Sequence, residues 1–342
     1  MRKRQIIFYF GIGVFLVLSV LIVGSYIVSE HIKKESPGSG DSQSTHDEYA
    51  DAIVLKMASP YTSGSFQSQI LEKFCDFCNQ NLGPEIYIQL YENGSLGNER
   101  QLLDALKNQR LELCAISSAN ISYLEESAAI PFMMPFNVRN LDDTLALLGS
   151  DAAQEIYRKL ERQNIYNLGY FYNGLRYIWS TKPIYNLEDL HTVNLCVSPV
   201  DSYIRAFDGI VNSTIDTAVD NVLPNLKIGA IDTYDLSLTE VMQTELYKYT
   251  PYCLKLRHSY SATSILVNQH TRDLLTEEQY GTLVSSMEAV SIYAQMLYGS
   301  LSNAWEREFA KIGIEFSELP PQDLSVVTSQ MQQQFLEYFE SL

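Results

Sequence analysis

Residues 91–106 read YENGSLGNERQLLDAL, and the reading of this stretch decides the architecture. Asn93-Gly94 is a turn pair, because both residue types tolerate positive φ. Gly97-Asn98 then leads into a segment whose Leu102, Leu103 and Leu106 recur at helical spacing. Two phosphate-binding readings fail. A P-loop needs Gly-x-x-x-x-Gly-Lys-Ser/Thr, and no lysine precedes the helix here. A dinucleotide site needs Gly-x-Gly-x-x-Gly directly after a strand, and that spacing is absent. What remains is a strand, a turn, and a helix that opens at Glu99.

The same grammar extends on both sides. Residues 52–58 (AIVLKMA) alternate through Ile53, Leu55 and Met57, which predicts a strand. A helix is expected from about Ser65 to Asn81, with Gly83 as its left-handed stop. Strands are expected at 85–91, through Ile86, Ile88 and Leu90, and at 111–117 (LELCAIS). After a helical stretch ending near Asn164, strands are expected at 165–172, 176–180 and 193–197, with a helix at Ser202–Phe207 and a further strand at 261–268. Thr276 and Gln279 fit a capping box that opens a long helix. Its Val290, Ala294, Leu297, Leu301, Trp305 and Phe309 form an apolar stripe. Alternating strands and helices predict an α/β fold, with helices packed on the faces of a parallel or mixed sheet.

The chain has 342 residues, which favours two cores over one. Its net charge of −17 argues against nucleic acid as a partner and against docking on an anionic lipid surface. Tyrosine, present 23 times, offers a stacking face with a polar tip, which suits a cleft for a small ligand. Met1-Arg2-Lys3-Arg4 precedes about 24 mostly apolar, uncharged residues. That run predicts a transmembrane signal-anchor at 1–34, and a flexible Ser/Gly/Asp-rich linker follows at 35–49. Val23-Gly24-Ser25 leaves a cleaved signal as the alternative. Either way the folded part is expected outside the cytoplasm, held at the cell membrane by a single-pass anchor, or secreted or periplasmic if the segment is cut. Cys75 and Cys78 have redox-motif spacing but lie mid-helix, where packing is the simpler reading. The histidines are scattered, so no metal site and no cofactor is expected. No nucleophile–base motif such as GxSxG or HExxH occurs, so an enzyme is not expected.

Several stretches, taken in order, resemble the DctP-type substrate-binding proteins of tripartite ATP-independent periplasmic (TRAP) transporters. They are Ser95-Leu96-Gly97-Asn98-Glu99-Arg100; residues 117–140, containing Pro135, Phe136 and Arg139; residues 169–190 (GYFYNGLRYIWSTKPIYNLEDL); and residues 258–268 (HSYSATSILVN). The resemblance spans about residues 50–320. It implies a periplasmic-binding-protein-like fold of two α/β lobes, joined by crossing strands and a long inter-lobe helix. Lobe I is expected at 50–172 plus 257–285, and lobe II at 173–256 plus 286–342. It also implies a solute held in the cleft and delivered to a small and a large membrane subunit, which couple uptake to an ion gradient.

The family clamps an organic acid with an arginine on the strand after Glu-Asp-Leu. Here that position falls on Cys196, and a thiol cannot make the bidentate fork. A second family arginine is matched by Arg176, and the family's ligand asparagine is matched by Leu236. The resemblance therefore implies an altered site. It would bind an acid held mainly by Arg176, or a less charged solute held by Tyr172, Asn173, Tyr234 and Asp235, with Cys196 and Glu99 also at the ligand. The alternative function is a membrane-tethered ligand sensor that signals through a partner membrane protein.

Overall fold

The computed structural model describes residues 52–137, 143 and 150–341. The expected anchor, linker and Arg139 lie outside the described residues. Among the described residues no helix is long and apolar enough to cross a membrane.

Alternation of apolar residues produces β1 (Ile53–Ala58) and β2 (Ile86–Tyr91), which pair in parallel. β3 (Leu113–Ser117) adds in parallel on the other side of β1. The connection from β1 to β2 is α1 (Phe66–Asn81). Ser65 caps it by accepting from the Ser68 N–H, and it stops just before Gly83, whose φ is +83°. α1 buries Phe66, Ile70, Leu71 and Phe74 together with Cys75 and Cys78. α2 (Glu99–Lys107) follows the Asn93-Gly94 turn, both of whose residues have positive φ. Asn98 and Gln101 close a reciprocal capping box at its start, a device worth about 1 kcal/mol, and Leu102, Leu103 and Leu106 face the core.

The expected strands at 165–172 and 176–180 are one strand, β4 (Ile165–Ser180), 16 residues long. The intervening Asn173-Gly174-Leu175 reads as a break, but Gly174 takes φ +111° in a bulge and pairing continues across it. At 3.3 Å per residue β4 runs roughly 50 Å, enough to serve two half-sheets. Up to Leu175 it pairs antiparallel with β9 (Tyr260–Asn268), itself antiparallel to β3. From Arg176 onward it pairs with β7 (Thr233–Ser237), and from Ile178 also with β8 (Tyr252–Leu254). β5 (Asn194–Val197) lies parallel to β7 and to β6 (Ser213–Asp216), giving the order β2-β1-β3-β9-β4-β7-β5-β6. β10 (Glu315–Ser317) pairs with β8.

The remaining helices are α3 (Glu126–Met133), α4 (Asp151–Glu161), α5 (Asp201–Ala206), α6 (Val222–Lys227), α7 (Leu238–Thr244), α8 (Gln269–Leu274), α9 (Glu277–Lys311) and α10 (Pro321–Glu340), with a single helical turn at Leu187–Leu190. α9 opens on the expected Thr276–Gln279 capping box and runs for 35 residues. Met287, Val290 and Ala294, which lie beyond the expected lobe boundary at 285, pack with Leu55, Phe74, Ile88 and Phe171 in the core of the first half. Phe309 packs with Trp179, Tyr234 and Val241 in the second, and Trp305 touches both. α9 is therefore a brace along the two half-sheets, with β4 as the covalent tie between them.

Candidate functional site

A cavity of about 570 Å³ opens beside the point where β4 changes partners. It sits at the carboxyl ends of β3, β5 and β7, the position at which open α/β sheets bind ligands. Tyr61, Glu99, Ser117 and Asn120 come to its wall from the first half, and Arg176, Cys196, Ser198, Asp235 and Glu240 from the second.

Arg176 is the first β4 residue to pair with β7, and it is 2% exposed. Its Nε donates to Asp235 Oδ2 at 2.9 Å, its Nη2 to the Asp235 carbonyl at 2.5 Å and to Ser198 Oγ at 3.3 Å. Its Nη1 lies 3.7 Å from Glu240 Oε1. Burial disfavours the guanidinium charge, but Asp235 and Glu240 outweigh it and push the Arg176 pKa further up. Burial would raise Asp235; the Arg176 charge overrides it and, with His258 3.4 Å away and a hydrogen bond from the Tyr203 hydroxyl at 2.7 Å, holds this carboxyl at about 2.

Glu240 is placed by a second capping box. It is the third residue of α7, and its Oε2 accepts from the Ser237 N–H and Oγ, both at 2.7 Å, while Ser261 Oγ donates to Oε1 at 3.1 Å. Glu99, at the first turn of α2, accepts from the Ser117 N–H at 2.6 Å and from Asn120 Nδ2. Burial of its carboxyl is the main cause that raises it to about 7; repulsion from Glu240 and Asp220 adds to this, and the two hydrogen bonds oppose it. Tyr61, 7% exposed, lies between these carboxylates, and its phenol is pushed up by burial and by Glu99 and Glu240, with its hydroxyl 2.8 Å from Thr263 Oγ1. Burial pushes the Cys196 thiol up to about 12, so it meets the cavity as a neutral group.

A profile of the family described as "Bacterial extracellular solute-binding protein, family 7" (DctP) matches residues 57–342, most of the chain. The chain belongs to the DctP family. Among DctP relatives, a solute-binding protein of Sulfitobacter sp. (strain NAS-14.1) is 24% identical over 248 residues, 71% of this chain and 74% of the relative. The C4-dicarboxylate-binding protein DctB of Bacillus subtilis is 20% identical over 236 residues, 66% of this chain and 67% of the relative. In fold, the chain matches a TRAP periplasmic solute-binding protein of Desulfovibrio salexigens with bound orotic acid, at TM-score 0.79 and 16% identity, over 84% of this chain and 93% of that one. It also matches one of Roseobacter denitrificans with bound β-D-glucuronate, at TM-score 0.78 and 18% identity, over 84% and 95%. The two-lobed α/β architecture expected from the sequence is thus the fold of this DctP chain.

Of the DctP-type contacts expected from the sequence, Arg176, Cys196, Tyr234, Asp235 and Glu99 line the cavity together. Tyr234 does so with its hydroxyl 2.8 Å from Thr250 Oγ1 and its ring stacked on Trp179. Tyr172 and Asn173 are corrected: neither is on the lining. They are consecutive residues of β4 at the bulge between Tyr172 and Gly174. Tyr172 instead packs against Tyr260 and Tyr298, and Asn173 Nδ2 donates to Thr263 Oγ1 at 2.9 Å. Glu240, Tyr61 and Ser198 went unnamed. The Ser237-x-x-Glu240 capping-box signature was the available signal for Glu240.

Proposed function

We propose that this protein captures a small polar solute in the cavity between its two halves and passes it to the small and large membrane subunits of a TRAP-type transporter, with capture outside the cytoplasm and the chain tethered or released at its N-terminus. The observation that carries this reading is the cavity itself. It draws polar side chains from both half-sheets at the crossover strand, so a bound solute contacts both and favours their closed arrangement. Arg176, Cys196, Tyr234, Asp235 and Glu99 are its proposed contacts, with Glu240 and Tyr61 added. Structural neighbours hold organic acids, orotate and glucuronate among them. Here the matching arginine already has a carboxylate of its own, so the acid-clamp reading of Arg176 is not carried forward.

Native mass spectrometry of protein purified from its own source tests the reading, because a captured solute is weighed directly. A small-molecule adduct that also raises the melting temperature is the expected result. Protein that carries no adduct, and that no polar solute stabilises, refutes it.

A further inference from the structure

We infer that the solute carries a positively charged nitrogen (an amine, a guanidine or a quaternary ammonium), alone or within a zwitterion. This rests on the solute-capture reading and names the class of solute for the same cavity. The ionisable lining holds four carboxylates, Glu99, Asp220, Asp235 and Glu240, against two cations, Arg100 and Arg176. Arg176 is committed within the protein. It bonds Asp235 at 2.9 Å and pairs with Glu240 at 3.7 Å, so one guanidinium answers two carboxylates. A carboxylate approaching Arg176 would arrive beside both of these anions, and the guanidinium cannot turn away from them because Ser198 and the Asp235 carbonyl hold its Nη2.

Asp235 is likewise held from inside the protein: it is 2% exposed and its Oδ1 faces His258 Nε2 at 3.4 Å, so the carboxylates left to meet a solute are Glu99, Asp220 and Glu240. The rest of the lining suits a cation as well. Tyr61 and Tyr123 are both on it, and the Arg100 guanidinium lies 5.3 Å over the Tyr123 ring, so this wall already receives a cation. Among the described residues no three His, Cys, Asp or Glu side chains are grouped to hold a metal ion, which leaves an organic cation as the better fit.

The test is a melting-temperature and calorimetry panel on the folded chain. It uses choline, agmatine, lysine and glycine betaine as cationic or zwitterionic probes, succinate, glucuronate and orotate as carboxylate-only probes, and myo-inositol as the neutral one. Native mass spectrometry supplies the formula of any carried-over solute. Binding of a nitrogen-cation probe, or a carried-over solute with a basic or quaternary nitrogen, is the expected result. Glu240→Gln and Glu99→Gln should then each weaken it by at least about tenfold, the scale of one lost charge-assisted contact. Glutamine at position 240 keeps the α7 capping box, since Glu and Gln serve equally there, and wild-type protein alone decides the first arm. A cavity that binds only carboxylate-only or neutral probes, or a cation whose affinity neither variant changes, overturns the class and leaves solute capture standing. No adduct and no binding by any probe overturns both.

Discussion

Replacing Asp235 with Asn removes one of the two carboxylates on Arg176 without changing the side chain's shape. The carboxyl of Asp235 sits at about 2 in the folded chain against an ordinary 3.8. By proton linkage a difference of that order stabilises the fold by about 2–3 kcal/mol at neutral pH. Removing one partner of a buried ion pair costs ~3–5 kcal/mol, because the remaining charge stays buried. Glu240 remains 3.7 Å from Arg176 and holds part of the charge balance, which sets the expectation at the low end, about 3 kcal/mol. For a domain of this size that lowers Tm by roughly 5–10 °C. Urea unfolding of wild type and D235N, followed by circular dichroism, reads the difference. Its pH course is fixed in sign. A folded-state pKa below the unfolded one stabilises above pH ~4 and loses that contribution as pH falls through about 2, so the gap between the two proteins narrows in acid. D235N also frees the guanidinium, and succinate or glucuronate should bind it more tightly than wild type. A stability difference under about 0.5 kcal/mol at pH 7, or a gap that stays constant into acid, refutes the assignment of Asp235 as the structural counter-ion.

Three other expectations concern Glu99, Gly174 and the cysteines. Glu99 titrates at about 7 against an ordinary 4.5, so the folded chain holds its proton more tightly than the unfolded one. The stabilisation this gives is full below pH ~4.5 and disappears as pH rises through 7; wild type should lose up to about 3 kcal/mol relative to Glu99→Gln between pH 4.5 and 8, and a flat difference in urea midpoints across that range would contradict it. At Gly174 a Cβ would lie 2.5 Å from the Tyr298 ring and φ is +111°, so Gly174→Ala should destabilise by about 3 kcal/mol in thermal melts; an unchanged Tm would mean the β4–α9 contact is looser than described. Burial holds Cys78 and Cys196 at about 12 and pushes Cys75, Cys114 and Cys253 up as well. Ellman's reagent at pH 8 should therefore titrate no thiol before unfolding and all 5 in denaturant, whereas rapid labelling of native protein would show an exposed thiolate.

Most of the fold was legible because its signals are local. Ile53–Met57 alternate, Ser65 and Asn98 cap helices, and Thr276–Gln279 opens the long one; each needs only its neighbours in sequence. β7 was missed because all five of its residues, TYDLS, are buried, so no alternation survives. β6 is a four-residue edge, and β8 and β10 have three residues each, below the length at which a period can be read. β4 was split because Asn173-Gly174 reads as a turn, and only pairing with a strand some ninety residues away turns it into a bulge. The site followed the same division. Glu99 and Arg176 came from order along the chain, but the partners that define Arg176, Asp235 and Glu240, are set by β7 and α7 folding back beside β4. Tyr172 and Asn173 came from their place beside Arg176 in the DctP-like stretch 169–190, and order along the chain does not say where a bulged strand aims each side chain.

The commitment of Arg176 changes what a ligand has to do. An ion pair internal to the second half, such as Arg176–Asp235, is equally satisfied with the halves open or closed, and so it cannot drive closure. Closure depends on groups that meet only across the cavity. Glu99 stands on α2 of the first half and Glu240 on α7 of the second, and their carboxylates repel one another to the extent that Glu99, at about 7, is ionised. Without a solute, bringing the halves together deepens that repulsion. A cationic nitrogen between them reverses its sign and is bound most tightly when the halves are nearest, which is the differential affinity a hinge requires. On the same logic an anion placed there would hold the halves apart. The small-angle X-ray scattering radius of the chain should therefore shrink with a bound cation, and it should shrink without one in a Glu99→Gln, Glu240→Gln double variant. If the double variant stays as open as ligand-free wild type, repulsion between these two carboxylates does not set the resting state.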